Sequence, residues 1–175
     1  MRGSLAANRY AQSLLDLAIE QNKLDSVYND MELILSTIEE SRELRSLLKS
    51  PVVKTDKKYS VLQSLFGAKI SDLSNQFLKL VSSRKREALL EDIARTFIAL
   101  YKKQKNIIVA EVTSAVRLDE SQKQKIIGLL KTDATVEMIE KIDPSIIGGF
   151  VVRVDDKQID ASILRELNDL KQALN

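Results

Sequence analysis

The stretch IDPSIIGGFVVRVDDKQIDASI, residues 142–163, contains the only adjacent glycines of the chain, Gly148 and Gly149. A loop that cradles a phosphate would point to nucleotide chemistry, whereas a turn that lets a strand pack would point to architecture. A phosphate loop needs several backbone N–H groups converging at a helix N-terminus, usually with a Lys and a Ser or Thr at fixed spacing. Here the glycines lead into Phe150-Val151-Val152-Arg153-Val154, an apolar, β-branched run that reads as a strand. Neither G-x-x-x-x-G-K-[ST] nor G-x-G-x-x-G is present. The turn reading uses more of the residues. Asp143 can accept a bond from the backbone two residues on, and Pro144 presets φ. The glycines then permit positive φ, a bulge or close approach of a neighbouring backbone. Asp155-Asp156-Lys157 predicts a tight polar turn, and Asp160 and Ser162 predict caps for a closing helix over 162–174. That helix would place Ile163, Leu164, Leu167, Leu170 and Leu174 on one side. Asp155, Asp156 and Asp160 lack the spacing and closing Glu of a calcium loop.

Working outward, NIIVAEVTSAVRL (106–118) reads as a strand, and Asp119-Glu120-Ser121-Gln122 has capping-box-like spacing that opens a helix to about Leu130. VEMIEKI (136–142) and GGFVVRV (148–154) give two further strands. Residues 106–175 are therefore predicted to form a small α/β domain. Residues 1–105 read instead as about six consecutive helices, at 5–20, 21–40, 41–49, 54–66, 70–82 and 84–105. Breaks fall near Asn22-Lys23, Ser41, Ser50-Pro51, Gly67 and Ser82-Ser83, with Ser41, Thr55 and Ser71 as predicted N-caps. Short connections predict an antiparallel bundle. The fold class is mainly α, a helical bundle followed by the α/β domain.

Composition narrows the chemistry. The 175 residues include no Cys and no His, which removes disulfides, thiolate nucleophiles, His-based catalytic pairs and the usual zinc and copper ligands. The absence of Cys fits a reducing compartment. Net charge is +2 and aromatics are 5%, so bulk charge gives no support to nucleic-acid binding. No apolar run approaches the ~20 residues that span a bilayer, and a helical pattern from Leu5 leaves no signal segment. No catalytic, cofactor-binding or metal-binding residues are predicted.

Two helices carry unusually wide apolar faces. At ~100° per residue, Ala7, Tyr10, Ala11, Leu14, Leu15, Leu17, Ala18 and Ile19 span roughly 200°. Ile70, Leu73, Phe77, Leu78, Leu80 and Val81 span roughly 160°. A helix with one buried face needs only ~100° or somewhat more. Periodicity alone leaves two explanations: a central helix in a bundle, or one face in the bundle and one for a partner.

VTSAVRLDESQKQKI and the 142–174 block closely resemble the C-terminal signature of the delta subunit of F-type ATP synthases, a family related to the mitochondrial oligomycin-sensitivity-conferring protein. ANRYAQSLLDLA (7–18) resembles the family's N-terminal signature, and Pro51-Val52-Val53 also fits. One departure is Ala161, where the family usually has Gly. The resemblance implies a non-catalytic stator subunit, without cofactor, in the peripheral stalk. It implies that residues 1–105 bind the N-termini of alpha subunits on the catalytic head and residues 106–175 bind the b subunits, so that rotation is coupled to ATP synthesis. Localisation would be peripheral, on the cytoplasmic face of a bacterial inner membrane, through the complex and without membrane insertion. By the same resemblance, Ala7, Tyr10, Ala11 and Leu14 form one wall of a groove for an alpha-subunit helix, and Leu80, Val81 and Arg84 form the other. Asp143, Pro144, Gly148 and Gly149 remain a structural turn. Two other classes compete: a helical-bundle nucleic-acid-binding adaptor, which predicts a basic stripe, and an enzyme built on carboxylates and lysines, which predicts convergent, perturbed titratable groups.

Overall fold

The computed structural model describes residues 2–130, 134–146, 148–154, 157–163 and 165. The chain divides into two units, Met1–Gln104 and Lys105–Asn175, one residue from the boundary expected.

The first unit is helical: α1 (Arg2–Glu20), α2 (Leu24–Glu40), α3 (Arg42–Lys49), α4 (Thr55–Phe66), α5 (Asp72–Ser83) and α6 (Leu90–Gln104), the last entered through a 3₁₀ turn at Glu87–Leu89. The polar breaks act through identifiable bonds. Ser41 caps α3 by accepting the Leu44 N–H at 3.1 Å, and Ser71 caps α5 by accepting the Ser74 N–H at 3.4 Å. Thr55 is not a cap; it is the first helical residue, and Lys54 before it makes no side-chain cap bond. The expected helix over 84–105 is also shortened. Just beyond the α5 C-cap, Arg84, Lys85 takes φ 55°, and the Arg86 N–H returns to the Val81 carbonyl at 3.0 Å. That left-handed residue and back-bond are a Schellman stop, which separates α5 from α6.

α1 packs chiefly against α6, α2 also against α6, and α4 against α5. Their apolar faces meet in one core that includes Leu14, Met31, Ile34, Leu62, Phe66, Leu78, Ile93 and Phe97. A polar tie crosses it. Asp30 on α2 is buried, and its Oδ2 accepts the Ser71 N–H at 3.0 Å and the hydroxyls of Ser71 and Ser74 at 2.6 Å each. A carboxylate at a helix N-terminus also meets the favourable end of the helix dipole. Asp30 thus fixes the start of α5.

The second unit is a four-stranded sheet with the order β2-β1-β3-β4, formed by β1 (Ile107–Ser114), β2 (Thr135–Ile142), β3 (Gly149–Val154) and β4 (Lys157–Ser162). β1 and β2 are parallel and joined through α7 (Glu120–Leu129); β1–β3 and β3–β4 are antiparallel. The expected capping box is complete, with the Gln122 N–H donating to Asp119 Oδ1 at 2.7 Å and the Asp119 N–H to Gln122 Oε1 at 2.9 Å. Ile126 of α7 joins Ala110, Val112, Leu118 and Val152 in a small core on one sheet face. Lys123 fastens α7 to β2 through Glu140 at 2.7 Å.

β4 is a correction. Lys157–Ser162 holds one β-branched residue, Ile159, and was expected to be turn and cap; pairing with β3, in the register Val152↔Ile159, makes it a strand. Asp160 accepts the Ser162 N–H at 3.0 Å, and Ser162 Oγ accepts the Arg165 N–H at 3.3 Å, so Ser162 has the bond expected of a cap. The body of the expected closing helix, residues 164 and 166–174, and the turn residues Asp155 and Asp156 lie outside the described residues.

Candidate partner-binding site

α1 and α5 leave an apolar trough between them, because each makes its main packing elsewhere, α1 with α6 and α5 with α4. Tyr10, Ser13, Leu14 and Leu17 line one wall, and Leu73, Gln76, Phe77 and Leu80 the other, around about 350 Å³ of open volume. Tyr10 and Phe77 meet edge to face across the trough, with centroids 6.4 Å apart and planes at 73°, a favoured aromatic geometry. Leu17 and Leu80 remain 39% and 46% exposed. Apolar side chains open to solvent on both walls can still lose area to water when a partner binds.

Of the residues expected here, Tyr10, Leu14 and Leu80 line the trough. Ala7, Ala11 and Val81 are not part of that lining; all three are buried in the bundle core. The wide arc of α1 divides differently from that expectation, with its alanines turned into the bundle and Tyr10, Leu14 and Leu17 along the trough. Arg84 is the exposed C-cap position of α5 and is not part of the lining. Ser13, Leu17, Leu73, Gln76 and Phe77 also line the trough and are not among the residues expected for the groove. The i, i+4, i+7 spacing of Leu73, Phe77 and Leu80 carried the signal for the second wall.

The glycine turn has the form expected of architecture. The Ser145 N–H donates to Asp143 Oδ1 at 2.9 Å, and Pro144–Ile146 makes a 3₁₀ turn. Hydrogen bonds from Ser145 hold the Asp143 carboxyl below the usual carboxylate range. Gly149, at φ 77°, opens β3 rather than a helix. A Cβ on Gly149 would lie 2.2 Å from the Ala161 carbonyl oxygen, whereas one on Gly148 would meet the tip of the Ile163 side chain at 2.7 Å. Of the two glycines, only Gly149 is demanded by backbone. Among the described residues no group of three or more acidic side chains is arranged to hold a metal ion, and no helix is long and apolar enough to cross a membrane.

The family model of the ATP synthase delta (OSCP) subunit matches residues 6–174. The chain belongs to that family. ATP synthase subunit delta of Cytophaga hutchinsonii is 38% identical over 172 residues, covering 98% of this chain and 94% of that protein. The corresponding subunit of Desulforudis audaxviator is 39% identical, covering 99% and 96%. A chain in the cryo-electron-microscopy structure of the Toxoplasma gondii mitochondrial ATP synthase hexamer superposes with a TM-score of 0.71 at 28% identity, covering 96% of each chain. The delta-family chain is a peripheral-stalk subunit of ATP synthase, a stator component rather than the catalytic one. The nucleic-acid alternative finds no support in these relatives.

Proposed function

We propose that the α1–α5 trough seats the N-terminal helix of an ATP synthase alpha subunit, and that residues 106–175 bind the b subunits of the peripheral stalk. The complex would hold the chain at the cytoplasmic face of a bacterial inner membrane. The observation that carries the first part is the pair of exposed leucines, Leu17 and Leu80, on facing walls of an apolar trough across which Tyr10 and Phe77 meet edge to face. This is the form of helix-in-groove recognition, in which side chains at i, i+3, i+4 and i+7 of the partner enter an apolar channel. Burying one Leu-sized side chain contributes roughly 1.5–3 kcal/mol. Three or four such anchors contribute roughly 5–12 kcal/mol before the cost of association, and four at the upper end leave the roughly −8 kcal/mol of micromolar binding when that cost is about 4 kcal/mol. A stator under torque has most to gain from slow dissociation, which buried anchors supply.

The test is calorimetric titration with a peptide of the alpha-subunit N-terminus from the same organism. A one-to-one complex is expected, weakened at least about 100-fold by Leu80→Asp or Tyr10→Asp, since each would bury an unpaired charge. Both variants should retain the parent's helicity by circular dichroism. Parent-like affinity in both variants would move the contact away from this trough.

A further inference from the structure

The trough does not end at its leucines. Beyond Tyr10 and Ser13, which border both hollows, it continues into a second hollow of about 400 Å³ lined by Leu5, Ala6, Arg9 and Arg86. Arg9 comes from α1 and is exposed. Arg86 is brought to α1 by the Schellman stop of α5. Lys85 takes the left-handed conformation, and the Arg86 N–H bonds back to Val81, so the chain reverses over the end of the trough. A lysine in that conformation costs about 1–2 kcal/mol relative to a right-handed one, so the reversal is held by its surroundings. Among the described residues neither Arg9 nor Arg86 has a carboxylate within ion-pair distance. Two guanidiniums, from two elements, therefore border one end of an apolar channel, with no ion pair to a carboxylate among the described residues. Leu5 and Leu17 lie twelve residues apart on α1, about 18 Å at 1.5 Å per residue. An occupant following the whole channel is a helix of three to four turns.

We propose that this occupant is an amphipathic helix bearing a carboxylate near one end, seated against Arg9 and Arg86, with its apolar stripe against Tyr10, Leu14, Leu17 and Leu80. The proposal rests on the trough reading above and adds the chemistry of the partner and its register. Apolar burial supplies most of the affinity, and the two arginines fix which end of the helix lies at which end of the channel. A planar guanidinium suits that task because it can hold a carboxylate through two parallel bonds.

The experiment measures binding of the same alpha-subunit peptide to the parent, to Arg9→Glu/Arg86→Glu and to Leu80→Asp, at 50 and 500 mM salt. Parallel titrations use the peptide with its acidic residues changed to lysine. Exposed ion pairs are individually weak and screened by salt. The double charge reversal is therefore expected to weaken binding about tenfold at low salt and about twofold at high salt. The lysine peptide should regain most of that loss on the reversed protein, an exchange that a misfolded variant could not show. If the reversed protein binds the parent peptide within twofold at both salts while Leu80→Asp abolishes binding, the trough reading stands and the acidic-end proposal is overturned. If no peptide binds the parent, both fall.

Discussion

Gly149 sits at φ 77° with the Ala161 carbonyl oxygen 2.2 Å from where a Cβ would be. Two independent costs therefore meet at one residue: a left-handed backbone and a collision with the neighbouring strand. Gly149→Ala should destabilise the second unit by about 3 kcal/mol, since backbone strain alone is worth 1–3. Gly148→Ala should cost less than about 1 kcal/mol, because the tip of Ile163 can turn aside. Chemical denaturation of both variants checks the contrast; equal stabilities would remove the distinction. At this scale the sequence was legible where chemistry is local. Asp143, Pro144 and the Asp119–Gln122 box announce their own bonds within three residues. Which glycine was indispensable was not legible, because the obstacle belongs to β4, twelve residues away from Gly149 in the chain.

At the level of elements, α5 is both a wall of the trough and a helix whose start hangs on α2. Asp30 Oδ2 accepts three hydrogen bonds from Ser71 and Ser74. Asp30→Ala would leave two hydroxyls and a helix N-terminus without their charged acceptor. The expected loss is about 2–3 kcal/mol of stability in the first unit, accompanied by weaker peptide binding as α5 shifts. A melting temperature within a degree of the parent would show that the tie is dispensable. Nothing in the sequence marks Asp30, since its partner Ser71 is forty-one residues away and a lone Asp within a helical pattern reads as surface. The same limit explains Ala7, Ala11 and Val81. Helical periodicity identifies a wide apolar arc but does not say which part faces the bundle. β4 was hidden for a related reason: its strand character comes from pairing with β3, not from its own residues.

Across the whole molecule, the second unit carries five carboxylates whose surroundings favour the charged form. Glu111 is held below its ordinary value by Lys141, Asp119 by the Gln122 backbone N–H, Glu140 by Lys123, and Asp143 and Asp160 by bonds from Ser145 and Ser162. A lowered folded-state pKa contributes stability that is complete above the unfolded value and lost as pH falls through the folded one. The sheet unit should therefore weaken progressively below about pH 4, near ordinary carboxylate values. Among the described residues its core holds five buried apolar side chains, a small reserve. Amide exchange at Val112 and Val152, followed from pH 6 to pH 3 with correction for intrinsic rates, checks this. Unchanged protection at pH 3 would contradict it. Bundle-plus-sheet architecture was readable from the change in hydrophobic period near residue 106, because that signal is repeated over many residues.

The packing of α1 on α6 also sets a timetable for synthesis. A growing chain emits α1 first, but the helix that covers it begins at Leu90, about seventy residues after Glu20. At 5–20 residues per second the interval is roughly 4–14 s, far longer than the microsecond or less in which a helix forms. During those seconds the nascent α1 presents Leu14, Leu15 and Ala18, together with the trough residues, to whatever surrounds the ribosome. The surface that remains open in the finished protein is thus part of a larger one that every newly made copy must shield until its own sixth helix arrives.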